Sequence, residues 1–168
     1  MLRYQLFPRS VGLSPDLKQV IQCFEIVYDE IKSPENNLSS DGVLGKLRPH
    51  LEQLDFKVES GKAKDFKIPV PVLFGLNDRI DKAFSADGLS KDGRIVIEVE
   101  AGRAFVNYAF LKDIVQASLM HNVEFLILAV RNDYKRHNDF QAIYTFLETL
   151  YISGRLPIPL RGIVLVGY

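Results

Sequence analysis

The chain of 168 residues has one cysteine, no net charge and no long apolar run, and each scarcity removes a class of protein. With Cys23 alone, an internal disulfide and any multi-cysteine zinc site are excluded. Cys23 lies on the apolar stripe of an expected helix, which fits a small core residue rather than a nucleophile. No apolar stretch approaches the roughly 18 residues that a membrane helix requires. The opening Met-Leu-Arg-Tyr-Gln-Leu-Phe-Pro lacks the apolar core of a signal peptide, so a cytoplasmic protein is expected. Lys and Arg number 21, as do Asp and Glu, so no overall basic charge draws nucleic acid. Any DNA contact must come from local patches. The three histidines, His50, His121 and His137, share no metal-ligand spacing. There is no Gly-x-x-x-x-Gly-Lys, no Gly-x-Gly-x-x-Gly and no Gly-x-Ser-x-Gly.

What the chain does have is ordinary globular stuff in an informative order. Hydrophobic residues make up 47% and charged residues 25%, which suits one soluble domain over residues 1–168. Ser14-Pro15-Asp16 reads as a helix start, followed by Leu17, Val20, Ile21, Phe24, Val27, Tyr28 and Ile31 at helical spacing. A second helix follows Ser39-Ser40-Asp41, with Pro49 expected to kink or delay it. Residues 55–59 alternate like a strand. Ile68 to Phe74 is extended, and its prolines place it on an edge or outside a sheet. Two strands, Lys82 to Ser90 and Arg94 to Glu100, are joined by Asp92-Gly93, a two-residue hairpin signal. A helix over Phe105 to Met120, a strand over Phe125 to Val130, a helix over Asp139 to Ile152 and a strand over Gly162 to Gly167 complete the chain. The order predicts an α/β fold, a mixed β-sheet flanked by helices.

The chemistry concentrates in the hairpin. With Asp92-Gly93 as the turn, Lys91 faces Arg94, Ser90 faces Ile95 and Asp87 faces Glu98. Opposed side chains have Cβ atoms roughly 4.5–5.5 Å apart. Glu100 shares a face with Glu98, while Ile95, Ile97 and Val99 take the other. Three carboxylates so placed repel one another, and a divalent cation relieves the repulsion. An exposed hairpin with an acidic polar face is the alternative. Gly102 permits close backbone approach and Arg103 suits a phosphate. Asp81 has the same strand parity as Asp87 and competes with it.

This arrangement resembles the PD-(D/E)xK nuclease superfamily over roughly residues 41–131, that is, a restriction-endonuclease-like core with an added N-terminal helix and C-terminal helix and strand. Asp87 matches the aspartate and Glu98 the glutamate, whereas Glu100 stands where lysine is usual. The Glu-x-Glu variant is similar to the BamHI type of restriction endonuclease, and Glu98 to Arg103 with Asn107 to the BglII type. The longer pattern, from Glu98 through Arg131-Asn132-Asp133-Tyr134 to Gly167-Tyr168, also resembles an uncharacterised bacterial group. The resemblance implies a magnesium- or manganese-dependent phosphodiesterase acting on DNA. Asp87, Glu98 and Glu100 would be metal ligands and catalytic residues. Lys112 would supply the missing positive charge, and Arg103, Asn107 and Gln116 would contact substrate. The family's first acidic position falls on Asp41, Glu52 or Glu59. The absent lysine and zero net charge leave a second expectation open: an inactive nuclease-fold module that binds nucleic acid or protein. So short a chain would act as a homodimer or with a protein partner. Two basic stretches are expected to be mostly solvated: Lys135-Arg136-His137, and Lys57, Lys62, Lys64 and Lys67 with Phe56 and Phe66.

Overall fold

The computed structural model describes residues 1–61, 63, 66–102, 104–105, 108–133, 135 and 137–168. The chain runs β1 (Arg3–Phe7), α1 (Pro15–Ile31), α2 (Ser40–Gln53), β2 (Lys57–Val58), β3 (Ile68–Phe74), β4 (Ile80–Ala86), β5 (Gly88–Leu89), β6 (Ile95–Glu100), α3 (Ala109–Leu119), β7 (Phe125–Val130), α4 (Asp139–Ser153) and β8 (Gly162–Gly167). A mixed six-stranded sheet has the order β1-β8-β7-β6-β5-β2, and β3 and β4 form a separate two-stranded arm. Within the large sheet β6, β7 and β8 are parallel, and the outer pairings are antiparallel.

Local chemistry accounts for the helix ends. Ser14 Oγ accepts a hydrogen bond from the Leu17 N–H, and Pro15 opens α1 where its missing N–H costs nothing. Ser39 caps α2 in the same way, and Asn138 caps α4 by accepting from the Gln141 N–H at 2.8 Å. Gly154, at φ 59°, ends α4 in the left-handed conformation that glycine tolerates. Helix α2 passes through Pro49 without stopping, held by the buried Leu44, Leu47 and Leu51 on its inner face. Helix α3 starts four residues later than its spacing suggests, because Tyr108 lies in the left-handed region at φ 53°.

Helices cover both faces of the large sheet. On one side α1 and α2 pack Leu17, Val20, Phe24, Leu47 and Leu51 against Ile95, Ile97, Ile127, Val164 and Val166. Cys23 belongs to this core, and its burial pushes the thiol pKa up, which leaves it unreactive. On the other side α3 and α4 pack Phe110, Ile114, Ile143 and Leu147 against Val96, Leu126, Leu128, Ile163 and Leu165. A strand covered on both faces is apolar throughout, as β7 and β8 are, with every residue buried. Strand β6 departs from that rule at Glu98 and Glu100.

Three expectations are corrected. Strand β1 pairs with β8 at the sheet edge, although only Leu6 and Phe7 of its five residues are buried, too few to announce a strand. The strand expected over Lys82 to Ser90 is two strands: β4 pairs with β3, and the chain bends at Asp87 before β5 joins β6. The hairpin loop is longer than two residues. Its last pair is Ser90 with Ile95, and the Gly93 N–H closes a turn onto the Ser90 carbonyl at 2.9 Å. The arm exposes Leu73, Phe74, Leu76 and Ile80. Among the described residues no helix is long and apolar enough to cross a membrane.

The packing predicts unequal costs for removing leucines. Leu128→Ala, at a fully buried position in β7, should destabilise by about 2–5 kcal/mol. Leu73→Ala, on the arm and 60% exposed, should cost no more than about 0.5 kcal/mol. Urea unfolding of the two variants measures the difference, and equal midpoints would contradict the placement of the core.

Candidate functional site

Strand β6 points Ile95, Ile97 and Val99 toward α1 and α2, so Glu98 and Glu100 point toward α3. Both sit at the carboxyl-terminal end of β6, where open α/β sheets commonly hold ligands. The pairs Gly88–Ile97 and Leu89–Val96 set the hairpin register and bring Asp87 beside Glu98, as the sequence implies. Gly88 allows the close approach, since a Cβ there would lie 3.2 Å from Ile97 Cβ.

Asp87 is built into this corner. Its carbonyl accepts from the Glu59 N–H at 2.8 Å, tying β2 to the bend. Its carboxylate Oδ2 accepts from the Val99 N–H at 2.8 Å. An unbroken antiparallel ladder would have sent that N–H to the Ala86 carbonyl. The aspartate thus replaces a backbone group where the strand leaves for the arm. Asp81, its rival, is exposed on the arm, where its nearest ionic partner is Arg79 at 3.8 Å.

A fourth carboxylate joins from α3. Asp113 has a side chain only 3% exposed, and its Oδ1 lies 3.8 Å from Lys112 Nζ. Its Oδ2 is fully buried with no hydrogen-bond donor among the described residues. Burial raises the pKa of all four acids, and neighbouring carboxylates add to it at Asp87, Glu98 and Glu100. Desolvation pushes Glu98 well above the usual range, with the charges of Asp87 and Asp113 adding to it. Desolvation, then the charge and hydrogen bond of Asp113, pushes Glu100 up to about 7. Burial lifts Asp87 to about 6 against the opposing Val99 hydrogen bond. Desolvation raises Asp113 as well, opposed by Lys112 and by Glu100. Glu100, lifted to about 7, exchanges its proton near neutral pH. Such clusters exchange protons near pH 7 or hold a cation.

The other expected residues divide. Lys112 is two-thirds exposed, yet its charge lowers the pKa of Glu98 and Glu100, so it borders the cluster. Gln116 is half-buried one turn further along α3, and no side-chain hydrogen bond among the described residues ties it to the carboxylates. Arg103 and Asn107 lie outside the described residues, as do Lys62, Lys64, Tyr134 and Arg136. Of the three acids weighed for the first position, Glu59 is buried and adjoins Asp87, while Asp41 and Glu52 are exposed. Glu59 is neutralised by Lys67 at 2.6 Å. The charge of Asp41 also reaches Lys67, so the first turn of α2 lies near that pair.

Asp113 is hard to find from sequence because the apolar positions at helical spacing over this stretch, Tyr108, Leu111, Ile114, Val115 and Leu119, mix two faces: Ile114 is buried, whereas Tyr108, Val115 and Leu119 are exposed. The buried positions are Phe110, Asp113, Ile114 and Ala117, at i, i+3, i+4 and i+7. A carboxylate on that stripe is the signal that could have found it. Among the described residues, no three His, Cys, Asp or Glu side chains stand ready to enclose one ion. Comparison of the chain with family models and with curated proteins yields no match.

The raised pKa values predict a pH signature in metal-free protein. A carboxyl group that holds its proton more tightly when folded contributes full stability below its unfolded value near 4.5. That contribution is lost as pH rises through about 7 for Glu100. Glu100→Gln should therefore be more stable than wild type at pH 8, by about 1–3 kcal/mol given water's access to this half-buried group. The two proteins should converge as pH falls toward 5. Thermal unfolding across this range checks it, and a parallel pH profile would refute the raised pKa of Glu100.

Proposed function

We propose that the chain is a divalent-metal-dependent phosphodiesterase acting on DNA, with a restriction-endonuclease-like core. The observation that carries this reading is the partial burial of Asp87, Glu98 and Glu100 together at the carboxyl end of β6, with only Lys67 and Lys112 among the described residues lowering their pKa values by charge. Such a cluster destabilises a fold unless it serves a ligand.

The residues suit magnesium or manganese in kind. Both ions prefer carboxylate oxygen, and magnesium is commonly held by one or two carboxylates with water completing its shell. A ready-made enclosure of three side chains is not required. Glu98 and Glu100 would hold the ion, with Asp87 adding Oδ1, because Val99 occupies Oδ2. When bound, the ion supplies an activated water and neutralises charge on the phosphodiester. Glu100, near pKa 7, can take or return a proton at neutral pH. Lys112, at the open rim, offers the positive charge toward phosphate that Glu100 cannot.

A second reading, a nuclease-fold module that binds a protein partner without catalysis, is favoured by the apolar arm tip of Leu73, Phe74, Leu76 and Ile80. The two readings differ in one measurement. Under the first, millimolar manganese raises the melting temperature of wild type and supports cleavage of duplex DNA. Glu98→Gln should lose both while retaining its circular dichroism spectrum. Retained cleavage in Glu98→Gln would remove the site assignment, and cleavage absent from wild type with every divalent ion would favour the second reading.

A further inference from the structure

Asp113 has no counterpart in the resemblance that suggested the other three acids. Its setting explains why it matters. The side chain shares the buried stripe of α3 with Phe110 and Ile114, on a helix packed against the sheet. It cannot turn out to water. A buried carboxylate normally has several donors, whereas Asp113 Oδ2 has none among the described residues. Lys112, 3.8 Å from Oδ1, is beyond hydrogen-bond range and mostly in solvent. Asp113 sits in the second turn of α3, past the first-turn N–H groups that a cap would satisfy.

We propose that Asp113 is a direct ligand of the divalent cation, forming with Glu100 a pair of carboxylates that hold the ion between β6 and α3. This rests on the reading that the site takes a divalent cation. The geometry supports it: Asp113 faces the sheet from the buried stripe of α3, and Glu100 points from β6 toward the same helix. Adjacent oxygens around an octahedral magnesium lie about 3 Å apart, given metal–oxygen distances of roughly 2.1 Å. Carboxylates that face each other from β6 and α3 suit adjacent positions on such an ion. Asp87 is less free to do so, since one of its oxygens completes the β5–β6 ladder. The cation site is thereby shifted from the hairpin toward the helix. Binding would lock α3 onto the sheet, close to Lys112.

The test is manganese binding, read by electron paramagnetic resonance of the free ion and by melting temperature, on the full chain. Wild type, Asp113→Asn, Asp113→Ser and Asp87→Asn are compared with no substrate present. The expected result is saturable binding by wild type and at least about a tenfold weaker Kd in both Asp113 variants. Their metal-free spectra should match wild type and their metal-free stability should equal or exceed it, since each removes a buried charge. Asp87→Asn should weaken binding less than either. Wild-type affinity in a folded Asp113→Asn or Asp113→Ser overturns the assignment of Asp113 and leaves the metal-dependent reading standing. No binding by wild type overturns that reading and this one together. If one variant fails to fold, the other decides.

Discussion

The burial of carboxylates on a strand that should be apolar is the constraint on which the rest of this structure turns. Strand β6 lies between β5 and β7 with helices on both faces, a position that in β7 and β8 admits no charged residue at all. Placing Glu98 and Glu100 there, with Asp113 brought in by α3, sets acid against acid in a poorly hydrated space. At Glu98 and Glu100 desolvation and repulsion act in the same direction, so both resist ionisation. Without a cation, both therefore hold their protons more tightly than a solvated carboxyl does. A divalent cation would release those protons and convert the repulsion into attraction.

The scaffold brings these acids together with few parts. The β5–β6 register places Asp87 beside Glu98, and the bend at Asp87 lets the chain leave the large sheet for the β3–β4 arm. Asp87 Oδ2 repairs the ladder where the strand departs. Around the same end, Ser40 Oγ accepts from the Ala101 N–H and the Tyr168 hydroxyl donates to the Glu100 carbonyl. Arg131 donates to the Asn37 side chain and the Leu38 carbonyl, joining the α1–α2 connection to the end of β7. The carboxyl-terminal end of the parallel strands is therefore held by backbone and side-chain bonds from four elements, which suits a site whose charges must keep their positions.

Much of the architecture was legible where periodicity is strong. The cap at Ser14, the runs of β7 and β8, and the hairpin register follow directly from residue types, while residue types left the cap of α4 open between Asn138 and Asp139. Legibility failed where tertiary contacts overrode local pattern. Strand β1 exists because the β8 edge needed a partner, not because its five residues alternate well. The break at Asp87 is invisible in a stretch that reads as one continuous strand. Pro49 is carried by packing that propensity does not count. At the site, Asp87, Glu98 and Glu100 were visible as a cross-strand set and Lys112 as a neighbour on the next helix. Asp113 was not, because of the apolar positions Tyr108, Leu111, Ile114, Val115 and Leu119 only Ile114 lies on the buried stripe, which otherwise uses Phe110 and the smaller Ala117.

The central claim is that this acid cluster exchanges protons for a divalent cation, and calorimetric titration with manganese tests it most directly. Run at pH 7 in two buffers of different ionisation enthalpy, the titration reports both affinity and protons released. The account predicts saturable binding with net proton release, since Glu100, lifted to about 7, still holds part of a proton at that pH. Binding without proton release, or no binding at all, would contradict it.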